Sequence, residues 1–147
     1  SDLFIFSHQL IQRITAGRKD GRSVQLKVAG AKQLVNMDLG LMEHVISNLL
    51  TNSLKYSEGK PDPILTLSYE LDQTVKISLI DFGIGIPEED QKGLFSSFFR
   101  AKNVRNIQGS GLGLSIVKEF VEMHGGSISV RSEMNKGAEF IVTLPIH

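Results

Sequence analysis

Apolar residues recur at Leu3, Phe6, Leu10 and Ile14, a spacing that predicts a helix over residues 3–16, stopped by Gly17. In "SVQLKVA" the period falls to two, Val24, Leu26 and Val28 alternating with neighbours as in a strand. A longer helical stripe follows, Leu41, Met42, Val45, Ile46, Leu49, Leu50, Ser53 and Leu54, with Asp38 placed to cap it. "SEGKPDP" is a turn. Two alternating runs, Leu65/Leu67/Tyr69/Leu71 and Val75/Ile77/Leu79, meet around Asp72-Gln73 and predict a hairpin. Pro87 opens a short helix through "PEEDQKGLF". From Ser96 to Ser110 no period survives, which predicts a mobile loop. Leu112 to Met123 is helical again, and Gly125 or Gly126 can take the left-handed position beyond its end. "SISVRSE" and "GAEFIVTLP" predict a second hairpin. Strands segregated from about three helices predict an α+β two-layer sandwich with a mixed, largely antiparallel sheet. Parallel Rossmann winding does not fit.

The 147 residues suit a single domain, residues 1–147. A chain of this length buries roughly 68–70% of its unfolded surface and needs no disulfide or metal to fold. Sixteen basic residues balance sixteen acidic ones, which argues against a basic face for nucleic acid. The absence of cysteine excludes a thiolate nucleophile, a zinc knuckle and a disulfide frame. No apolar run nears the ~20 residues of a membrane span, and a cytoplasmic location is expected. Glycine is in excess, and seven of its fourteen residues stand in two clusters, Gly83/Gly85 and Gly109/Gly111/Gly113/Gly125/Gly126.

Three stretches carry candidate chemistry. On the long helix Asn48, Asn52 and Lys55 share one face. Asparagine is a mediocre helix former, so two on one face form either a solvated surface or amide-oxygen ligands for Mg²⁺, with Lys55 as a charge for phosphate. Tyr56 stands beside them and offers a ring to cover a base. The second stretch, "DFGIGIP", opens like the magnesium loop of protein kinases, but no V-A-I-K strand, H-R-D loop or A-P-E end accompanies it. Its Asp81 closes a strand beside two glycines. It is either part of a plain turn or an acceptor for an exocyclic amine such as adenine N6. The third, "GSGLGLS", runs into a helix and offers bare backbone amides to an anion. It is neither a Walker loop, lacking Gly-Lys-Ser/Thr, nor a dinucleotide fingerprint, having Ile116 at the third glycine.

In their order, "HVISNLLTNSLKYS", "DFGIGIP", "LFSSFFRA" and "GSGLGLSIVKEF" resemble the N, G1, F and G2 boxes of sensor histidine kinases. The likeness covers roughly residues 20–147. It implies the Bergerat ATP-binding fold and a protein-histidine kinase whose cofactors are ATP and Mg²⁺. By that resemblance Asn52 ligates Mg²⁺ with Asn48 in support, Lys55 reaches the phosphates and Tyr56 flanks adenine. Asp81 accepts from adenine N6, and Gly83, Gly85 and Ile86 shape that wall. Phe95 and Phe98 anchor an ATP lid over residues 96–110, in which Arg100, Lys102 or Arg105 touches the γ-phosphate. Gly109, Ser110, Gly111, Leu112 and Gly113 close on the triphosphate. Departures are mild: Ser110 replaces a common threonine and Phe82 fills a variable position.

Two absences shape the expected reaction. His8 in "SHQLIQR" faintly echoes the family's acceptor box, but only 39 residues separate it from Asn48. Two long antiparallel helices cannot fit there beside a strand. The acceptor is therefore expected on a separate dimerisation domain, with residues 1–18 as the helix that follows it. Gyrase-type ATPases of the same superfamily carry a glutamate one turn before the magnesium asparagine as base for water. Asn48 stands there instead and cannot take a proton. Phosphoryl transfer to an outside histidine, then relay to a response regulator, is the expectation. The fragment is expected to be a monomer and its parent a homodimer. The alternatives are a regulatory nucleotide-binding module and an ATPase without kinase activity.

Overall fold

The protein is seen in a computed structural model that describes residues 1–96 and 114–147. Helix α1 (Leu3–Thr15) begins where the Asp2 carboxylate accepts from Ile5 N–H at 3.0 Å, and it buries Leu3, Ser7, Leu10 and Ile11. Strand β1 (Gln25–Ala29) is short and mostly exposed. Helix α2 (Leu39–Tyr56) starts as its sequence indicates, Asp38 accepting from Leu41 N–H at 3.0 Å. That bond satisfies one of the donors an N-terminus leaves open. Its buried stripe is Met42, Val45, Ile46, Leu49, Leu50, Ser53 and Leu54; Leu41 alone of the expected set stays half-buried.

Strands β2 (Ile64–Tyr69) and β3 (Thr74–Asp81) form the first hairpin. Gln73 takes positive φ at its turn, and Leu71, counted in the first alternating run, is fully exposed beyond the strand. Helix α3 (Glu88–Gln91) is a single turn, shorter than the run through Phe95 that the sequence indicates. Helix α4 (Leu114–Met123) ends at Gly125, φ +74°. There Gly126 N–H reaches Val121 O at 3.1 Å and Gly125 N–H reaches Glu122 O at 2.9 Å. This paired closure uses the left-handed freedom of glycine. Strands β4 (Ser127–Glu133) and β5 (Gly137–Pro145) form the second hairpin.

The sheet order is β1-β2-β3-β5-β4, with β1 parallel to β2 and every other pair antiparallel. This is the α+β sandwich the pattern predicts, with four helices among the described residues once the one-turn α3 is counted. One face of the sheet, Leu65, Leu67, Val75, Ile77, Leu79, Val142 and Leu144, is buried in a single core with α1, α2 and α4. Helix α2 lies between α1 and α4 and packs on β3. Asp38 N–H donates to His124 Nε2 at 2.9 Å, which ties the start of α2 to the end of α4. The C-terminal ends of α2 and β3 are brought together at the other end of α2, where Ile84 N–H donates to the Tyr56 carbonyl at 3.1 Å.

Candidate functional site

The site is built where those two ends meet. On α2, Asn52 Nδ2 donates to Asn48 Oδ1 at 2.9 Å, one helical turn apart. Since the NH₂ of Asn52 faces Asn48, its carbonyl oxygen is turned away from that neighbour. Lys55 Nζ lies 5.6 Å from the centre of the Tyr56 ring, within cation–π range. Asn48, Asn52, Lys55 and Tyr56 are all half-buried, so the asparagine face is not a freely solvated one. His44, a turn earlier, is exposed and meets Phe120 of α4 edge-on at 5.3 Å.

Asp81 ends β3 with only 6% of its surface exposed. Its Oδ1 accepts from Gly83 N–H at 2.9 Å. Burial pushes its carboxyl pKa up, while N–H groups of Gly83 and Ala138 and the Arg22 charge pull it back. The following loop is closely fitted on both sides. Ile84 N–H donates to the Tyr56 carbonyl at 3.1 Å, and Ile84 O accepts from Asn135 N–H at 2.9 Å. A Cβ on Gly83 would collide with the Tyr56 carbonyl oxygen, and one on Gly85, φ +74°, with the Glu133 carbonyl oxygen. Both glycines are thus required by close backbone approach. A cleft of about 210 Å³ opens between Lys55, Tyr56, the Gly83–Ile84 turn and Asn135.

Ile86 is buried and fixed through its backbone: its N–H donates to Ser132 Oγ at 2.8 Å, and Gln91 Nε2 donates to its carbonyl at 3.0 Å. Gln91 Nε2 also reaches Ser132 O at 3.0 Å, and Ser132 Oγ donates to Gly137 O at 2.7 Å. Phe95 packs against the core, its ring edge-on to Phe140 at 6.5 Å. Phe98, Arg100, Lys102, Arg105, Gly109, Ser110, Gly111, Leu112 and Gly113 lie outside the described residues, as does the loop expected from Ser96 to Ser110 beyond its first residue. His8 is exposed on α1 and stacks on Phe4 at 6.2 Å.

Sequence reasoning missed Arg22, Ser57, Gln91, Ser132 and Asn135. None lies in a glycine-rich or paired-amide pattern, and each acts through a contact made by the fold. The donors at the Asn48–Asn52 pair are amide groups, and among the described residues no group of three or more His, Cys, Asp or Glu could hold a metal. Amide oxygen suits a hard cation that keeps most of its waters and takes its remaining ligands from phosphates. These residues fit Mg²⁺ held together with a nucleotide rather than a closed protein cage.

The family described as histidine kinase-, DNA gyrase B- and HSP90-like ATPase matches residues 37–147, and the chain belongs to this family of ATP-binding domains. Within it, the structural likeness is to histidine kinase catalytic domains, and this is a domain of that type. The mycobacterial sensor histidine kinase MprB is 28% identical, with a TM-score of 0.79 over 99% of this chain and 96% of that one. Full-length ShkA, solved in complex with AMPPNP, is 25% identical, with a TM-score of 0.78 over 99% of this chain and 30% of that one. The adaptive-response sensory kinase SasA of Gloeothece citriformis is 38% identical over 112 residues, 76% of this chain and 28% of that protein. The chain spans less than a third of those two longer proteins.

Proposed function

We propose that the chain is the catalytic part of a sensor histidine kinase. It binds ATP with Mg²⁺ and transfers the γ-phosphate to a histidine on a separate phosphoacceptor domain, for relay to a response regulator. The observation that carries this reading is the Asn48–Asn52 amide pair, joined at 2.9 Å where a hydrolase would need a carboxylate. An amide cannot remove a proton from water. An imidazole nitrogen needs no such base: it attacks the γ-phosphorus, the bond to the β-phosphate oxygen breaks, and ADP leaves with that electron pair. What remains for the protein is positioning and charge neutralisation.

In this reading Asp81 accepts from the adenine amine, Tyr56 and Ile86 flank the base, and Lys55 faces the phosphates. Asn52, oriented by Asn48, holds Mg²⁺, which when bound neutralises phosphate charge. The assignment of residues 96–110 as the ATP lid rests on the sequence boxes. Trypsin protection at Arg100, Lys102 and Arg105 by nucleotide and Mg²⁺ tests it. The parent is a homodimer that brings its acceptor histidine to this domain in the cytoplasm.

The decisive experiment adds a purified acceptor domain, labelled ATP and Mg²⁺ to the chain. Acid-labile phosphate appearing on the acceptor only when the chain is present is the expected result. ATP binding without transfer to any acceptor supports a regulatory nucleotide-binding module instead. Rapid ATP turnover without a partner supports an ATPase.

A further inference from the structure

We propose that Arg22 is a positioning residue for nucleotide recognition: its guanidinium fastens the last turn of α2, on which the Asp81–Gly85 loop rests, and so sets where Tyr56 and the Asp81 carboxylate meet the base. This rests on the ATP-site reading above.

Arg22 lies in the loop between α1 and β1, yet its side chain is only 9% exposed. Its Nη1 donates to the Leu54 carbonyl at 2.9 Å, and Nη2 donates to Ser57 Oγ at 2.9 Å and to the Pro61 carbonyl at 3.3 Å. Ser57 Oγ in turn donates to Ser53 O at 2.6 Å. Asp62 Oδ1 stands 3.9 Å from Arg22 Nε and accepts from Ser23 N–H at 3.3 Å. The turn that aims Arg22 is itself held, Asp20 accepting from Arg22 N–H at 3.0 Å and from both Arg18 Nε and Nη2. A buried guanidinium must be matched by acceptors, and carbonyls at a helix C-terminus are both unsatisfied and negative.

Lys55 and Tyr56 sit between the anchors at Leu54 and Ser57. The Tyr56 carbonyl accepts from Ile84 N–H, and Gly83 abuts the Tyr56–Ser57 backbone. Arg22 therefore braces the segment on which the loop after Asp81 rests. Its charge also favours the ionised Asp81 against burial. Among the described residues, the charged groups Arg131, Glu133, Lys136 and Glu139 share a cleft with Asp81 on the β4–β5 side.

The test measures ATP binding by calorimetry as pH is lowered from neutrality towards the ordinary carboxylate range, above which the Asp81 carboxyl is raised, on wild type, Arg22→Met, Arg22→Lys and Ser57→Ala. Arg22→Met should bind ATP about tenfold more weakly and lose binding at a higher pH on acidification. Arg22→Lys should restore the pH profile but not the affinity, since an ammonium cannot span both anchors as a fork does. Ser57→Ala, which removes an acceptor and no charge, should weaken binding with an unchanged profile. Wild-type affinity and profile in Arg22→Met overturn the proposal. Should Arg22→Met fail to fold, wild-type affinity in both Arg22→Lys and Ser57→Ala overturns it equally. If wild type binds no ATP, the ATP-site reading falls and takes this inference with it; normal wild-type binding with unaffected variants removes this inference alone.

Discussion

Asp81 is buried at a strand end and Asn52 is paired with Asn48 on a half-buried helix face. Burial raises the Asp81 pKa above the ordinary carboxylate value, so the folded chain holds that proton more tightly than the unfolded one. Its contribution to stability therefore falls as pH rises through the interval between the unfolded and folded pKa values. Asp81→Asn removes this unfavourable buried charge while keeping an oxygen to accept from Gly83. The variant should melt higher than wild type at neutral pH without nucleotide. It should bind ATP more weakly, by about 1.5–3 kcal/mol, the worth of a hydrogen bond to a charged group. GTP, with a carbonyl where adenine has its amine, should bind poorly to wild type. Equal ATP and GTP affinities in calorimetry would remove Asp81 from base recognition. Asn52 is half-buried and bonded to Asn48, so Asn52→Ala should melt close to wild type yet lose metal-dependent transfer. Retained transfer that still needs metal would move the ligand elsewhere.

The elements matter through where they end. Helix α2 stops at Tyr56 and strand β3 stops at Asp81, and the loop after Asp81 is pinned between the α2 terminus and the β4–β5 turn through Ile84. Gly83 is the point of closest approach. Gly83→Ala would drive a methyl into the Tyr56 carbonyl, a backbone atom that no rotamer change can move aside. The expected loss is about 1–3 kcal/mol of stability, typical of overpacking, accompanied by weaker ATP binding as the loop shifts. Thermal melting together with calorimetry checks both; an unperturbed variant would mean that the loop relaxes freely and does not set the site.

For the whole molecule, nucleotide and fold should be linked. A ligand bound only by the native state, at a hundred times its dissociation constant, adds about 2.7 kcal/mol, or roughly 5–10 °C in Tm for a domain of this size. With Asn48 in place of a carboxylate, the chain alone should show this shift while turning ATP over very slowly. A partner-free ATPase rate rising in step with binding would count against phosphoryl transfer as its task. The sequence by itself determined the elements, because each is a local matter of period and punctuation: Asp38 before the α2 stripe, Gly125 after α4, alternation in β2 and β3. It also singled out the residues of the proposed site, since paired amides at a spacing of four and glycines flanking Asp81 are visible without a fold. Only the tertiary structure decided that β1 joins β2 in parallel and that β5, not β4, pairs with β3. Strand order follows from which apolar faces cover one another, information spread over the whole core rather than written in any segment. It also decided which surface-type residues are internal. Arg22 reads like its neighbours Arg18 and Lys19, and it becomes a brace only because α2 ends beside it with carbonyls that must be met.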